Sequence, residues 1–461
     1  MPTCRPVVSD SDRLQALPSF TSPPSPQTAY SDPHFGILAL SVLPPSALLL
    51  LQKLEQVPWY TPLTTVSFVP RSVHDQFVQI YAASFWFGHV ALSCTEEHAK
   101  LFALLNFYIP IMLLFDDTAD EKDDALEEHA DAPPPSVSRD IAGRILLAEQ
   151  GRWEVVIDNF LQAHRKVVAI REATEPAPLD TKKKYELFCK KVLGQCFKAA
   201  TSILEENNTP PESVETFRGV QELFVSDLSL SQGDAQQAAF DEAEKIASNL
   251  AAKHHIKVLP KHVVHRLHRL RNVAQPGLSR GRNSHLKCLA KHPLGVFALT
   301  CWCQDWICGR VPLVVASVWM RGHVKALGKA NGGIRPISLF EAAYKLATGV
   351  MLDLSQAKIC KILRPWQFGC SLPAGAEQMT QILRTLALSS TQLDANLLLH
   401  TSKIFFTSDV KNAFGLVPRD QVLRAVIKHA PQLLPILLAS WRPGATTLFV
   451  PTGKGQASPF V

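Results

Sequence analysis

The stretch Phe405-Phe406-Thr407-Ser408-Asp409-Val410-Lys411-Asn412-Ala413-Phe414 decides how this chain reads. An apolar run ends there in one carboxylate, and an aromatic ring follows at Phe414. The run reads as a buried strand that delivers Asp409 from its end. A carboxylate so placed suits a hard divalent cation such as Mg²⁺, which takes oxygen ligands. Asp at a strand end also has an ordinary use in turns, so the stretch gains weight only from its surroundings.

Four further features fall around it in order: Lys329, Gly332-Gly333-Ile334-Arg335-Pro336-Ile337, Gln367-Phe368-Gly369 and Gly455-Gln456-Ala457-Ser458-Pro459. Gly328 to Pro336 reads as a hairpin tip, with Gly332-Gly333 supplying the turn. Lys329 and Arg335 flank that turn. Two cations on one hairpin can clamp a triphosphate, Arg through its fork and Lys as a point charge, although a solvated turn would carry the same residues. A long helix is expected from Phe340 to Ile362, ending before Pro365. Upstream, His285 to Arg310 reads as helical and Val311 to Met320 as strand-like.

In this order the motifs resemble a reverse transcriptase of the non-LTR retrotransposon kind, an RNA-directed DNA polymerase. The resemblance covers residues 275–461. It implies an α+β fold: an incomplete right-hand polymerase, fingers and partial palm, preceded by mostly helical N-terminal regions. It also implies an RNA template, a DNA primer and deoxynucleoside triphosphates as partners, with two Mg²⁺ ions as cofactors. Under it Asp409 bridges the ions and Val410 adds its backbone carbonyl. Phe414 would stand under the sugar of the incoming nucleotide and clash with a 2′-hydroxyl. A plain core aromatic is the other reading of that ring. Lys329 and Arg335 would hold the triphosphate, and Gln456 would line the nucleotide pocket. Gln367 and Gly369 would position template or primer, or serve as scaffold.

Two departures matter. Ala457 stands where the family has Gly, which costs about 1 kcal/mol or more if the backbone there needs positive φ or must let a base approach closely. No paired-Asp motif follows before Val461, and Asp116-Asp117 lies upstream of every other motif. The expectation is therefore part of a polymerase, with little or no activity by itself. The alternative is a non-catalytic nucleic-acid-binding protein that keeps the same scaffold.

Composition bounds the remainder. With 461 residues, 46% of them hydrophobic and 19% charged, the chain has room for a sizeable core and two or three domains. A net charge of +6 permits a nucleic-acid partner without arguing for one. Ten scattered cysteines and no signal peptide suggest reduced thiols in an intracellular compartment. Lys182-Lys183-Lys184 with Lys190-Lys191 reads as a plain helix surface and leaves RNA contact or nuclear import open. The apolar runs Leu38 to Leu51 and Leu101 to Phe115 are too short or too interrupted for membrane spans, so core helices and no membrane are expected.

Residues 1–35 are Ser/Pro-rich and expected to be disordered, and 36–115 form an apolar region of unnamed role. Residues 116–135 are an acidic, Pro-rich linker. Residues 136–274 are a helical extension with a basic C-terminal end. Within it, Asp234 to Ala252 shows helical spacing, and Ser213 is a candidate cap for the helix after Pro210-Pro211. Lys253 to Arg271 is dense in Lys, Arg and His, which fits either a phosphate-contacting helix or a solvated face. Its histidines His262, His265 and His268 lack a Cys or acidic partner at zinc spacing.

Overall fold

The computed structural model describes residues 45–116, 139–173, 213–224, 233–253, 256–272, 274–328, 334–363, 367–369, 374–389, 417–453 and 456–460. The Ser/Pro-rich start and nearly all of the acidic linker lie outside them. The elements begin with α1 (Pro45–Glu55), β1 (Thr64–Thr65), α2 (His74–Ala91), α3 (Glu96–Leu114) and β2 (Phe115–Asp116). Next come α4 (Arg139–Glu149), α5 (Trp153–Ala173), α6 (Val214–Phe224), α7 (Gly233–Lys253) and α8 (Pro260–Arg269). Then follow α9 (Asn283–Leu289), α10 (Pro293–Ile307), α11 (Leu313–Trp319), β3 (Arg321–Gly328) and β4 (Ile334–Leu339). The last are α12 (Ala342–Leu363), α13 (Gly375–Ser389), α14 (Arg419–His429), α15 (Leu434–Trp441), β5 (Thr447–Gly453) and β6 (Gln456–Phe460). Helices and a small mixed sheet make the fold α+β.

The chain divides into two compact units. The larger comprises Met1–Glu222, His255–Val350 and Ile436–Val461; the smaller comprises Leu223–His254 and Met351–Pro435.

The larger unit is built on aromatic interlock. Phe85 of α2 lies 5.4 Å from Trp302 of α10, which lies 4.7 Å from Trp319 of α11. Phe107 of α3 closes the cluster at 5.6 Å from Trp319. The Trp302 indole N–H donates to the Ala343 carbonyl at 3.1 Å, so the ring is buried without stranding its polar atom. Residues on both sides of position 275 thus share one core, and the apolar region before residue 116 gains a structural role. Its helix α3 is long and apolar enough to cross a membrane, yet 89% of its most apolar window is buried inside the protein. It is the core helix that the sequence led us to expect.

Three buried polar groups of this unit are matched by specific partners, although the Trp306 and Trp319 indole nitrogens are buried without a hydrogen bond among the described residues. The buried Asp305 receives Arg310 Nη2 at 2.6 Å and faces His89 Nδ1 at 2.6 Å, tying α2 to α10. His285 donates from Nε2 to the Val66 carbonyl at 2.9 Å while its Nδ1 accepts from the Arg282 N–H at 3.2 Å. That pairing satisfies the neutral ring, and burial lowers its pKa to about 4. The Glu341 carboxylate, just before α12, accepts from the Ser279 backbone N–H at 3.0 Å and from the Ser279 hydroxyl. A Cβ at Gly277 would stand 2.2 Å from Glu341 Oε1, so any larger residue would have to displace that carboxylate.

One expectation fails outright. Val311 to Met320 is not a strand: Leu313–Trp319 is helical. Its valines suggest β structure, but Val315, Ala316, Val318 and Trp319 are buried together at helical spacing. Packing of that face overrides the preference of β-branched residues. The helix expected over His285 to Arg310 is two, Asn283–Leu289 and Pro293–Ile307, broken before Pro293, and the strand expected to end at Asp409 lies outside the described residues. Ser213 accepts from the Thr216 N–H at 3.2 Å at the start of α6, and α7 and α12 occupy their expected ranges.

In the smaller unit α7 packs on α14 and on the short turn Pro431–Leu433. Ala239, Phe240, Ala243 and Ala247 form its buried stripe, with Leu423 from α14. Helix α13 leaves Met379, Ile382 and Leu383 exposed.

Candidate functional site

The sheet has the order β4-β3-β5-β6. Strands β3 and β4 form the expected antiparallel ribbon, with Gly328 opposite Ile334 at the turn. Strand β5 runs parallel to β3, and β6 returns antiparallel to β5. Alternation gives the ribbon two faces. Gly322, Val324 and Ala326 are buried, and a Cβ on Gly219 of α6 would lie 3.1 Å from Ile334, so α6 backs this ribbon.

The opposite face carries the charge. Leu327 pairs with Arg335, Lys325 with Ile337 and His323 with Leu339, so these six side chains share one side. Arg335 and Lys325 are both exposed. As diagonal neighbours they stand about 7–8 Å apart at the backbone, close enough for one phosphorylated ligand to meet both.

Further down the same face the ribbon meets an aromatic corner. His323 lies 5.6 Å from the Tyr60 ring, and the Arg280 guanidinium lies 5.8 Å from the same ring. The Arg321 guanidinium sits 3.0 Å over Trp59 while its Nε donates to the Ser317 carbonyl at 2.9 Å. Burial, then the charges of Arg280 and Lys325, lower the His323 pKa to about 4. Burial lowers Arg321 to about 10, which keeps it charged at neutral pH. Arg280 is one of two non-glycine residues with positive φ among those described, at 55°. Its Nη2 holds the Thr61 carbonyl at 2.6 Å, and its own carbonyl accepts from the Thr65 hydroxyl at 2.8 Å. These bonds offset the strain of that backbone.

The expected site residues divide as follows. Arg335 sits exposed on the ribbon face, whereas Lys329 lies outside the described residues, as do Asp409, Val410 and Phe414. The Mg²⁺ expectation, which rests on Asp409 and Val410, therefore also falls outside them. Among the described residues no group of three or more His, Cys, Asp or Glu side chains could hold a metal. Gln456 opens β6 opposite Gly453. Ala457 is extended strand opposite Pro451, and it is not among the positive-φ residues, so Ala there carries no backbone strain. Gln367 accepts from the Gly369 N–H at 2.7 Å through its side-chain oxygen, and both residues are exposed. That bond gives Gln367 a local turn-forming part.

Lys325, His323, Arg321 and Arg280 were missed by the sequence reading. Period-two counting back from the turn would have found the first three, because β3 alternates one buried and one outward residue. Arg280 had no such signal, since it reaches the corner through tertiary contacts. No protein-family model and no curated protein matches this chain.

Proposed function

We propose that this chain is a reverse transcriptase domain of retrotransposon origin, built for RNA-templated DNA synthesis. The observation that carries the reading is the ribbon of β3 and β4, with Arg335 exposed near the start of β4 and Lys325 on the same face, while Gly332-Gly333 between the strands lies outside the described residues. A two-stranded ribbon with outward cations beside its turn is what a triphosphate clamp needs. The order of Lys329, Arg335, Gln367, Asp409, Phe414 and Gln456 along the sequence supports the same reading. In it Asp409 and the Val410 carbonyl hold Mg²⁺, which stabilises the attacking and leaving oxygens of nucleotidyl transfer. Phe414 excludes a 2′-hydroxyl, and an incomplete right-hand polymerase accounts for the fold. In this reading the chain binds a deoxynucleoside triphosphate and primer–template.

The test is photo-crosslinking of a labelled deoxynucleoside triphosphate to the full chain with Mg²⁺. Arg335→Ala should weaken nucleotide binding by roughly 1.5–3 kcal/mol, about a charged hydrogen bond. Unchanged labelling in that variant would remove the basis of the reading. A second reading, a nucleic-acid-binding protein that keeps this scaffold without catalysis, is favoured by the basic helix α8. Primer–template binding without any nucleotide labelling would select it.

A further inference from the structure

Residues 256–304 hold nine Lys and Arg and not one Asp or Glu. The chain's net charge is +6, so everything outside this segment sums to −3 (+6 less +9). The positive charge of the protein is therefore local, which is what matters for a polyanion.

Helix α8 displays it. Val263, Val264 and Leu267 are buried and the helix packs on α10, which consumes its apolar stripe. The exposed residues are Lys257 and Lys261, then His265 and His268, then Arg269 and Arg271. Lys261, His265 and Arg269 recur every four residues along one side, about 6 Å apart by helical rise, over a helix about 15 Å long. Among the described residues no carboxylate pairs with Lys257, Lys261 or Arg271, although Lys53, Lys100 and Arg310 all have such partners.

The segment is also held in place before any ligand arrives. The Gln304 side chain accepts from the Val258 N–H at 2.7 Å and donates to the Ile256 carbonyl at 2.6 Å, fixing the entry to α8. Asn283 Nδ2 donates to the Arg271 carbonyl at 2.7 Å and fixes the exit. A preorganised row of cations costs less to order on binding.

We infer that the exposed face of α8, with Lys257 and Arg271 at its ends, is a docking surface for the phosphate backbone of a nucleic-acid strand. Charge complementarity selects a polyanion. Among the described residues no large apolar side chain between 256 and 304 is exposed, so the face lacks what a helix needs to enter a lipid surface. Contacts to phosphate carry no base information, so binding here is independent of sequence. This surface goes beyond the ribbon face and does not depend on it.

The test is the salt dependence of binding of the full chain to a fluorescent polyuridylate of about 20 nucleotides. Each phosphate contact to a single strand adds about 0.7 to the slope of log K against log salt. Lys261→Gln/Arg269→Gln/Arg271→Gln should lower that slope by about 2 and weaken binding about tenfold or more near physiological salt. The variant Arg152→Gln/Arg165→Gln/Lys166→Gln removes the same charge from exposed positions elsewhere and should leave the slope unchanged. Should the first variant not fold, Lys257→Gln/Arg271→Gln lies outside the helix and should lower the slope by about 1.4. Equal losses in the α8 and control variants would reduce the effect to net charge and overturn the inference. So would an unchanged slope in the α8 variants, or binding to phosphatidylserine vesicles without binding to the oligonucleotide. Nucleotide labelling at the ribbon face is measured separately, so failure here leaves the polymerase reading standing, and the reverse.

Discussion

The two units of this protein are packed by different means. The larger interlocks rings: Phe85, Phe107, Trp302 and Trp319 sit within 4.7–5.6 Å of their neighbours and are nearly or fully buried. The smaller brings α7 onto α14 largely through alanines, with Phe240 its one large buried ring among the described residues. Helix α13 meanwhile shows Met379, Ile382 and Leu383 at 38–43% exposure. Large rings bury more apolar area per residue and make more contacts than alanine. On the described residues the larger unit has the denser core, and we expect local opening to start in the smaller.

That contrast can be broken by experiment. Trp302→Ala should cost about 3–5 kcal/mol in chemical denaturation, because it empties the centre of the ring cluster and strands the Ala343 carbonyl. A cost near that of a surface change would show that the rings do not carry the core.

Acid should weaken the larger unit next. The folded pKa of His285 is about 4, against about 6.5 for a free imidazole, so between these values the unfolded chain binds more protons. Stability is then present above pH 6.5 and is lost as pH falls toward 4, by about 3 kcal/mol for this one ring. A pH series of thermal melts should show the loss, and His285→Gln should flatten it. Equal steepness in wild type and variant would mean that other groups set the acid limit.

Gly277→Ala should come third, at about 1–3 kcal/mol, since the new methyl meets the Glu341 carboxylate that holds the Ser279 loop. The smallest effect belongs to α13, where Ile382→Gln should change stability by no more than about 0.5 kcal/mol. A larger loss there would show that its apolar side chains are covered in solution.

What the sequence made legible was local. The Gly332-Gly333 pair announced the ribbon, three- and four-residue spacing announced α7, and Ser213 announced a capped helix. The strand reading of Val311 to Met320 failed because β-branched residues were weighed above the helical spacing of Val315, Ala316, Val318 and Trp319. Nothing in the sequence joined Phe85 to Trp302, because contacts between distant segments leave no periodic trace. The site was half legible for the same reason. Arg335 was read from its turn, and Lys325 and His323 lay within reach of period-two counting along β3, but Arg280 becomes visible only once loop packing is known.

The parallel pairing of β3 with β5 bears on how the chain is made. Arg321 waits for Thr447, and the whole 351–435 segment of the smaller unit is synthesised between them. During that interval one edge of β3 has its backbone groups open, a template for pairing with another chain. Closing so long a connection is slow compared with forming the β3–β4 turn. Nascent chains should therefore be most prone to misassembly after the ribbon has emerged and before residue 447 has, the window in which a chaperone would matter most.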